Sequence, residues 1–188
     1  MPPRKRRAAA NLEFGVAAGY NSIDLARFAL RPGAGRRLDV DVDPGELELG
    51  GQSYAVAEGV VPARLDLSRT PAGYALRVRA TVHVSGPCMR CLADADVPVE
   101  LDAREVDQPP SEDEELRSPY VDGDELDLSS WVHDALALAL PLQLLCRPEC
   151  KGLCAVCGAS LNDVDPKAHR HESAPDPRWA KLRELKQD

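Results

Sequence analysis

Aromatic side chains are scarce in this 188-residue chain: two Trp, two Phe and four Tyr make up 4% of it. A core must therefore be built mainly from Leu, Val and Ala, within a hydrophobic content of 44%. No apolar stretch approaches the roughly 18 residues a membrane-crossing helix needs. The basic opening Met1-Pro2-Pro3-Arg4-Lys5-Arg6-Arg7 is not followed by the apolar run of roughly 7–15 residues that marks a secretory signal. The expectation is a cytoplasmic protein that contacts no membrane. Also missing are a Gly-rich phosphate loop, a His-Glu-x-x-His zinc-hydrolase motif and a Gly-x-Ser-x-Gly nucleophile elbow. Without them the chain is expected to be no enzyme and to take no small-molecule substrate.

What is present is charge, unevenly distributed. Residues 1–37 hold eight Lys/Arg against two Asp/Glu, residues 38–145 seven against 22, and residues 146–188 eight against seven. The net charge of -8 thus conceals a basic arm, an acidic body and a nearly neutral tail. Basic runs contact phosphates without sequence preference, and an acidic body suits a basic protein partner.

The length favours one domain with appendages. Residues 1–20 carry little periodicity and read as a mobile basic extension. Asn21 to Leu30 is expected to form a short helix capped by Asn21 or Ser22. From Leu38 the pattern changes to alternation. Leu38, Val40 and Val42 alternate with Asp39, Asp41 and Asp43, and Leu76, Val78, Ala80, Val82 and Val84 with Arg77, Arg79, Thr81 and His83. Period two marks half-buried antiparallel strands, and five or six are expected between 38 and 107. Residues 107–119 are acidic and read as an exposed loop. Leu128, Trp131, Val132, Ala135, Leu136 and Ala139 then follow helical spacing, with Asp127 or Ser129 as cap and Pro141 as stop. This helix is expected to pack under the sheet with Trp131 in the core. A last short helix is expected after Asp176-Pro177. The fold class is α+β: an antiparallel sheet or partly open barrel with a packed amphipathic helix (body 21–145), then a cysteine- and histidine-rich tail (146–188).

That tail and one internal turn carry the chemistry. Cys88-Met89-Arg90-Cys91 and Cys154-Ala155-Val156-Cys157 are two C-x2-C knuckles, a spacing that lets both thiolates of a turn face one ion. Gly158 follows the second, where positive φ is often required. Cys146 and Cys150 precede the second knuckle, and His169 and His171 follow it. All eight are candidate ligands for one or two zinc ions. The two knuckles can share one ion, leaving Cys146, Cys150, His169 and His171 for a second. Alternatively Cys146, Cys150, Cys154 and Cys157 form one local site, with Cys88 and Cys91 elsewhere. A redox dithiol of the thioredoxin kind would need an alternating α/β pattern, which is absent.

These residues resemble the YceD family, the large ribosomal RNA subunit accumulation proteins. The resemblance runs through Cys88-Met89-Arg90-Cys91-Leu92, Asp124-Glu125-Leu126-Asp127-Leu128, Ala137-Leu138-Ala139-Leu140-Pro141 and Cys146. It is sharpest from Cys150-Lys151-Gly152-Leu153-Cys154 to Ala159-Ser160-Leu161-Asn162, and closes with Asp176-Pro177-Arg178-Trp179. Many members carry C-x-C after the Leu-Asn pair, where this chain has His169-Arg170-His171. Paired replacement by histidine is what a retained metal site would allow.

The resemblance implies a role in 23S rRNA accumulation or large-subunit assembly. The implied partner is a large-subunit precursor, 23S rRNA or a basic ribosomal protein, touched through Arg90, Arg147, Lys151, Arg170 and Arg178. The alternative is a metal- or redox-responsive regulator that uses the same knuckles.

Overall fold

The computed structural model describes residues 21–56, 59–109, 113–165 and 168–171. The extension over 1–20, the helix expected after Asp176-Pro177 and Arg178 lie outside the described residues.

Alternation makes the strands. β1 (Ser22–Asp24) is followed by β2 (Gly35–Val42), β3 (Leu47–Leu49), β4 (Gln52–Val56), β5 (Val61–Arg69), β6 (Tyr74–Pro87) and β7 (Asp94–Asp107). In β6, Leu76, Val78, Val82 and Val84 are buried, while Arg77, Arg79, Thr81 and His83 occupy the other face. The antiparallel register sets apolar residues opposite one another: Leu65 faces Val78, and Val82 faces Val99. One slipped residue would turn that whole apolar set to water, so burial enforces the register.

β6 is the spine. One edge pairs along its whole length with β7, from Tyr74 opposite Asp107 to Pro87 opposite Asp94. The other edge is divided between β5, which takes Tyr74–Arg79, and β4, which takes Val84 and Ser85. β2 extends the sheet beyond β5, and β3 beyond β4. The outward face carries cross-strand charge pairs, among them Arg37–Asp66, Arg79–Asp66 and Arg77–Asp102. His83 lies with Nδ1 2.7 Å from Asp96 Oδ1.

β8 (Val121–Asp122) and β9 (Glu125–Asp127) form a hairpin that joins β1 in a second sheet. α1 (Leu128–Ala139) follows directly. The Asp127 carboxylate accepts from the Ser130 N–H at 3.0 Å, capping the first turn. Leu140 is extended before Pro141, which ends the helix. Leu128, Trp131, Val132 and Leu136 are buried in the main core. His133 Nδ1 lies 2.8 Å from the Pro44 carbonyl, and the Ser129 hydroxyl donates to the Asp43 carbonyl, so both side chains fasten α1 to the turn after β2.

Two expectations are corrected. Asn21 to Leu30 is not a helix but β1 followed by a 3-10 turn, Ala26–Phe28. Ile23 pairs with Leu126 across the second sheet, and the Asp24 carboxylate accepts from the Ala26 N–H at 2.9 Å, which favours a turn over a helix. The 107–119 loop is also tied inward at both ends: Asp107 and Ser118 are buried, and the Ser118 N–H donates to the Asp107 carboxylate at 3.3 Å.

Gly86 lies beneath the buried Tyr54 ring, where an added Cβ would come within 2.3 Å of a ring carbon. Gly86→Ala is therefore expected to destabilise the protein by about 1–3 kcal/mol in urea unfolding. The penalty should shrink in a Tyr54→Leu background, because the two sites share the contact. An equal penalty in both backgrounds would refute it.

Candidate metal centres

The first knuckle closes the longest hairpin. Residues 88–93 join the last β6–β7 pair, and the Cys88 N–H donates to Ala93 O at 2.8 Å. The Leu92 N–H donates to Cys88 O at 2.9 Å. The second knuckle repeats both bonds: Cys154 N–H to Ala159 O at 2.8 Å, and Gly158 N–H to Cys154 O at 2.8 Å. The turns are alike in φ as well, at 60° for Leu92 and 73° for Gly158. Gly158 takes this conformation without strain, whereas Leu92 sits where a Cβ is disfavoured.

Chain leaving α1 is brought to the first knuckle. The Met89 N–H donates to Leu144 O at 2.9 Å, and the Leu144 side chain is fully buried. The Arg90 guanidinium donates to Cys150 O and to Gln143 Oε1, each at 3.0 Å. Cys146 and Cys150 thereby reach Cys88 and Cys91. The Cys88–Cys150 and Cys91–Cys146 sulfur separations are 3.8 and 3.6 Å, far beyond a disulfide bond. A tetrahedral ion with sulfur ligands at about 2.3 Å has edges of about 3.8 Å, so the spacing fits such an ion.

Electrostatics point the same way. Burial pushes the Cys88 thiol up, but N–H groups of Cys146, Arg90 and Cys91 outweigh it and bring it down to about 6. The Asn162 amide, against burial, holds Cys150 down as well. Cys146 is pushed up to about 12 by burial and by its neighbouring thiols. At Cys91 the Ala93 N–H favours thiolate, yet burial and the adjacent thiols prevail and raise it. Four thiolates this close cannot all ionise without a cation among them.

Cys154, Cys157, His169 and His171 form a second group, all four ligand atoms lying within 4.8 Å of one another. Cys157 Sγ is 3.7 Å from His169 Nε2, and the two histidine Nε2 atoms are 3.0 Å apart. Cys154 is lowered to about 6, chiefly by His169 and then by the Cys157 and Val156 N–H groups. An antiparallel bridge of Leu153 to Ser160 frames this knuckle, and the His169 N–H is held by Asp165 O at 2.9 Å.

Neither partition expected from the sequence is the one found. The two knuckles fall in different groups, and the four tail cysteines are divided between those groups. The reason is geometric. The Met89–Leu144 bond delivers Cys146 and Cys150 to the hairpin end first, and the chain then turns at Gly152, whose φ is +77°. A Cβ on Gly152 would lie 3.0 Å from Arg90 O, so only glycine passes here freely.

Asn162 was not singled out in the sequence. Its Oδ1 accepts from the Lys151 N–H at 2.8 Å while its Nδ2 lies 3.5 Å from Cys150 Sγ, so one side chain braces the chain between both groups. Asn in a Ser-Leu-Asn sequence just after a knuckle was the available signal. Among the expected contact residues, Arg147, Lys151 and Arg170 are exposed, while the Arg90 guanidinium is engaged within the chain.

A family model described as large ribosomal RNA subunit accumulation protein YceD matches residues 76–186, a span that takes in both cysteine groups. The chain belongs to the YceD family. An uncharacterised protein of Mycobacterium tuberculosis is 34% identical over 174 residues, covering 87% of this chain and 80% of the relative. One of Mycobacterium leprae is 32% identical over 171 residues, 87% of this chain and 76% of the relative. A maize protein named large ribosomal RNA subunit accumulation protein YCED homolog 1, chloroplastic, is 42% identical over 77 residues, 41% of this chain and 22% of the relative. No solved structure matches the chain significantly.

Elemental analysis tests the partition. Cys88→Ser, Cys150→Ser and their combination should each lose the same single metal equivalent. Cys154→Ser or His171→Ala should remove the other, additively with Cys88→Ser. Loss of one shared equivalent by Cys88→Ser and Cys154→Ser would restore the shared-knuckle arrangement. The strained turn gives a separate expectation: Leu92→Gly raises stability by about 1 kcal/mol and Gly158→Leu lowers it by at least as much, read by thermal unfolding.

Proposed function

We propose that this YceD-family chain is a non-enzymatic cytoplasmic factor that supports 23S rRNA accumulation and large ribosomal subunit assembly, with structural zinc in both metal centres. The observation that carries the reading is the family match itself, which spans both centres and is shared with a relative named for rRNA accumulation. The donor sets, four cysteines in one centre and two cysteines with two histidines in the other, are those of closed structural zinc sites. Four protein ligands complete a tetrahedron and leave no position for a reacting water, which supports a binding role over catalysis. Free thiolate ligands also suit a reducing compartment.

In this reading zinc supplies cross-linking. A tail with few side chains to bury gains a fixed shape, and the exposed Arg147, Lys151 and Arg170 gain fixed positions from which to meet a large-subunit precursor.

The test is depletion of the protein in its host. The 23S to 16S rRNA ratio is expected to fall and large-subunit precursors to accumulate on sucrose gradients. The wild-type chain should restore both, and a Cys88→Ser, Cys154→Ser double variant should not. An unchanged rRNA ratio after full depletion would sink the proposal.

A further inference from the structure

Strand β7 is the open edge of the body. Among the described residues it pairs with β6 alone; Pro98 lacks an N–H and the Ser118 N–H engages Asp107 at the far end, so the stretch between them offers its outer backbone groups to a further partner. Beside it, α1 leaves a groove of about 460 Å³. β7 contributes residues 100–105, in which Glu100, Asp102 and Glu105 outnumber Arg104; Trp131, Ala135, Leu138 and Ala139 of α1 and Tyr120 form the rest. Leu138 is 88% exposed at the groove's edge. An unpaired strand edge beside an apolar groove is the arrangement used for strand addition. The visiting backbone extends the sheet, and alternate side chains enter the groove.

Charge selects the visitor. Residues 100–134 contain thirteen Asp/Glu and two Arg. Glu105 is on the inward side of β7, half-buried, with burial raising its carboxyl despite a hydrogen bond from Ser118. Asp134 holds the Tyr120 hydroxyl at 2.9 Å at the groove's side. Nucleic-acid phosphates would be repelled here. A Lys- or Arg-rich chain would be attracted, and its cations could reach the half-buried carboxylate.

We infer that the β7 edge and the α1 groove bind an extended basic protein segment, which adds a strand to β7 and places apolar side chains against Leu138 and Ala135. This deepens the function proposed above and rests on it only for the identity of the basic protein.

The test uses the full chain and a fluorescein-labelled nine-residue peptide alternating Lys with Val, followed by anisotropy. Saturable binding is expected. Methylating the peptide's backbone nitrogens at alternate residues, on the edge that would pair, should weaken it at least about tenfold, as should Leu138→Ser. Glu105→Gln should weaken it by about threefold, and an alternating Glu/Val peptide should not bind. Equal binding of the methylated peptide, or insensitivity to Leu138→Ser, would reduce the effect to general charge attraction and overturn the inference. So would a dimer formed through β7 that excludes the peptide, or a single-stranded RNA that competes for the same groove. Absent peptide binding alongside a confirmed 23S rRNA defect removes this inference alone.

Discussion

Cross-strand pairing of β6 with β7 sets the position of everything that follows in the chain. Both strands run 14 residues in uninterrupted antiparallel register, and the six-residue turn closing them carries Cys88 and Cys91. A turn at the end of so long a ladder has little freedom, so the two thiols are presented from a fixed place. The Met89–Leu144 bond then docks the chain leaving α1 against that place, and Leu144 is buried in the main core. A smaller core of Cys88, Ala95 and Cys150 grows directly from this junction. Body and tail are thus joined by backbone hydrogen bonding and buried sulfur, and only then by any ion.

Much of this was legible in the amino-acid order. The β6 alternation from Leu76 to Val84 names its inward face residue by residue, because burial on one side and charge pairing on the other leave a single register. The α1 limits follow from the Asp127 cap and Pro141. What escaped was short or tertiary. β1 has three residues, too few for alternation to show, and its stability comes from Leu126, far along the chain. The β8–β9 hairpin was missed although Asp122-Gly123 marks a turn. The eight ligand candidates stand out by spacing, but their grouping depends on contacts between distant segments, the Met89–Leu144 backbone bond first among them. A backbone bond between distant segments has no signature in side-chain identity.

The two knuckles share one backbone plan yet differ in setting. The first is more enclosed: Cys88 and Cys150 are buried, and the Arg90 guanidinium donates to the Cys150 carbonyl. The second is open, with Cys157 and His171 exposed. The family match covers both, and in the second the pair after the knuckle is His169 and His171. An imidazole pair can replace a thiolate pair here because the His169 and His171 Nε2 atoms already lie 3.0 Å apart, within reach of one tetrahedron.

Sequence distance between ligands separates the centres in a further way. Cys88 and Cys150 are 62 positions apart, whereas Cys157 and His169 are 12 apart. Closing the longer loop costs about 1.5 kcal/mol more in chain entropy. The local centre can close as soon as its own segment exists. The distant one waits until the hairpin is zipped and α1 is seated, since its two halves meet nowhere else. The four cysteines can therefore meet only on a finished body, and a mis-registered sheet would leave their two halves apart.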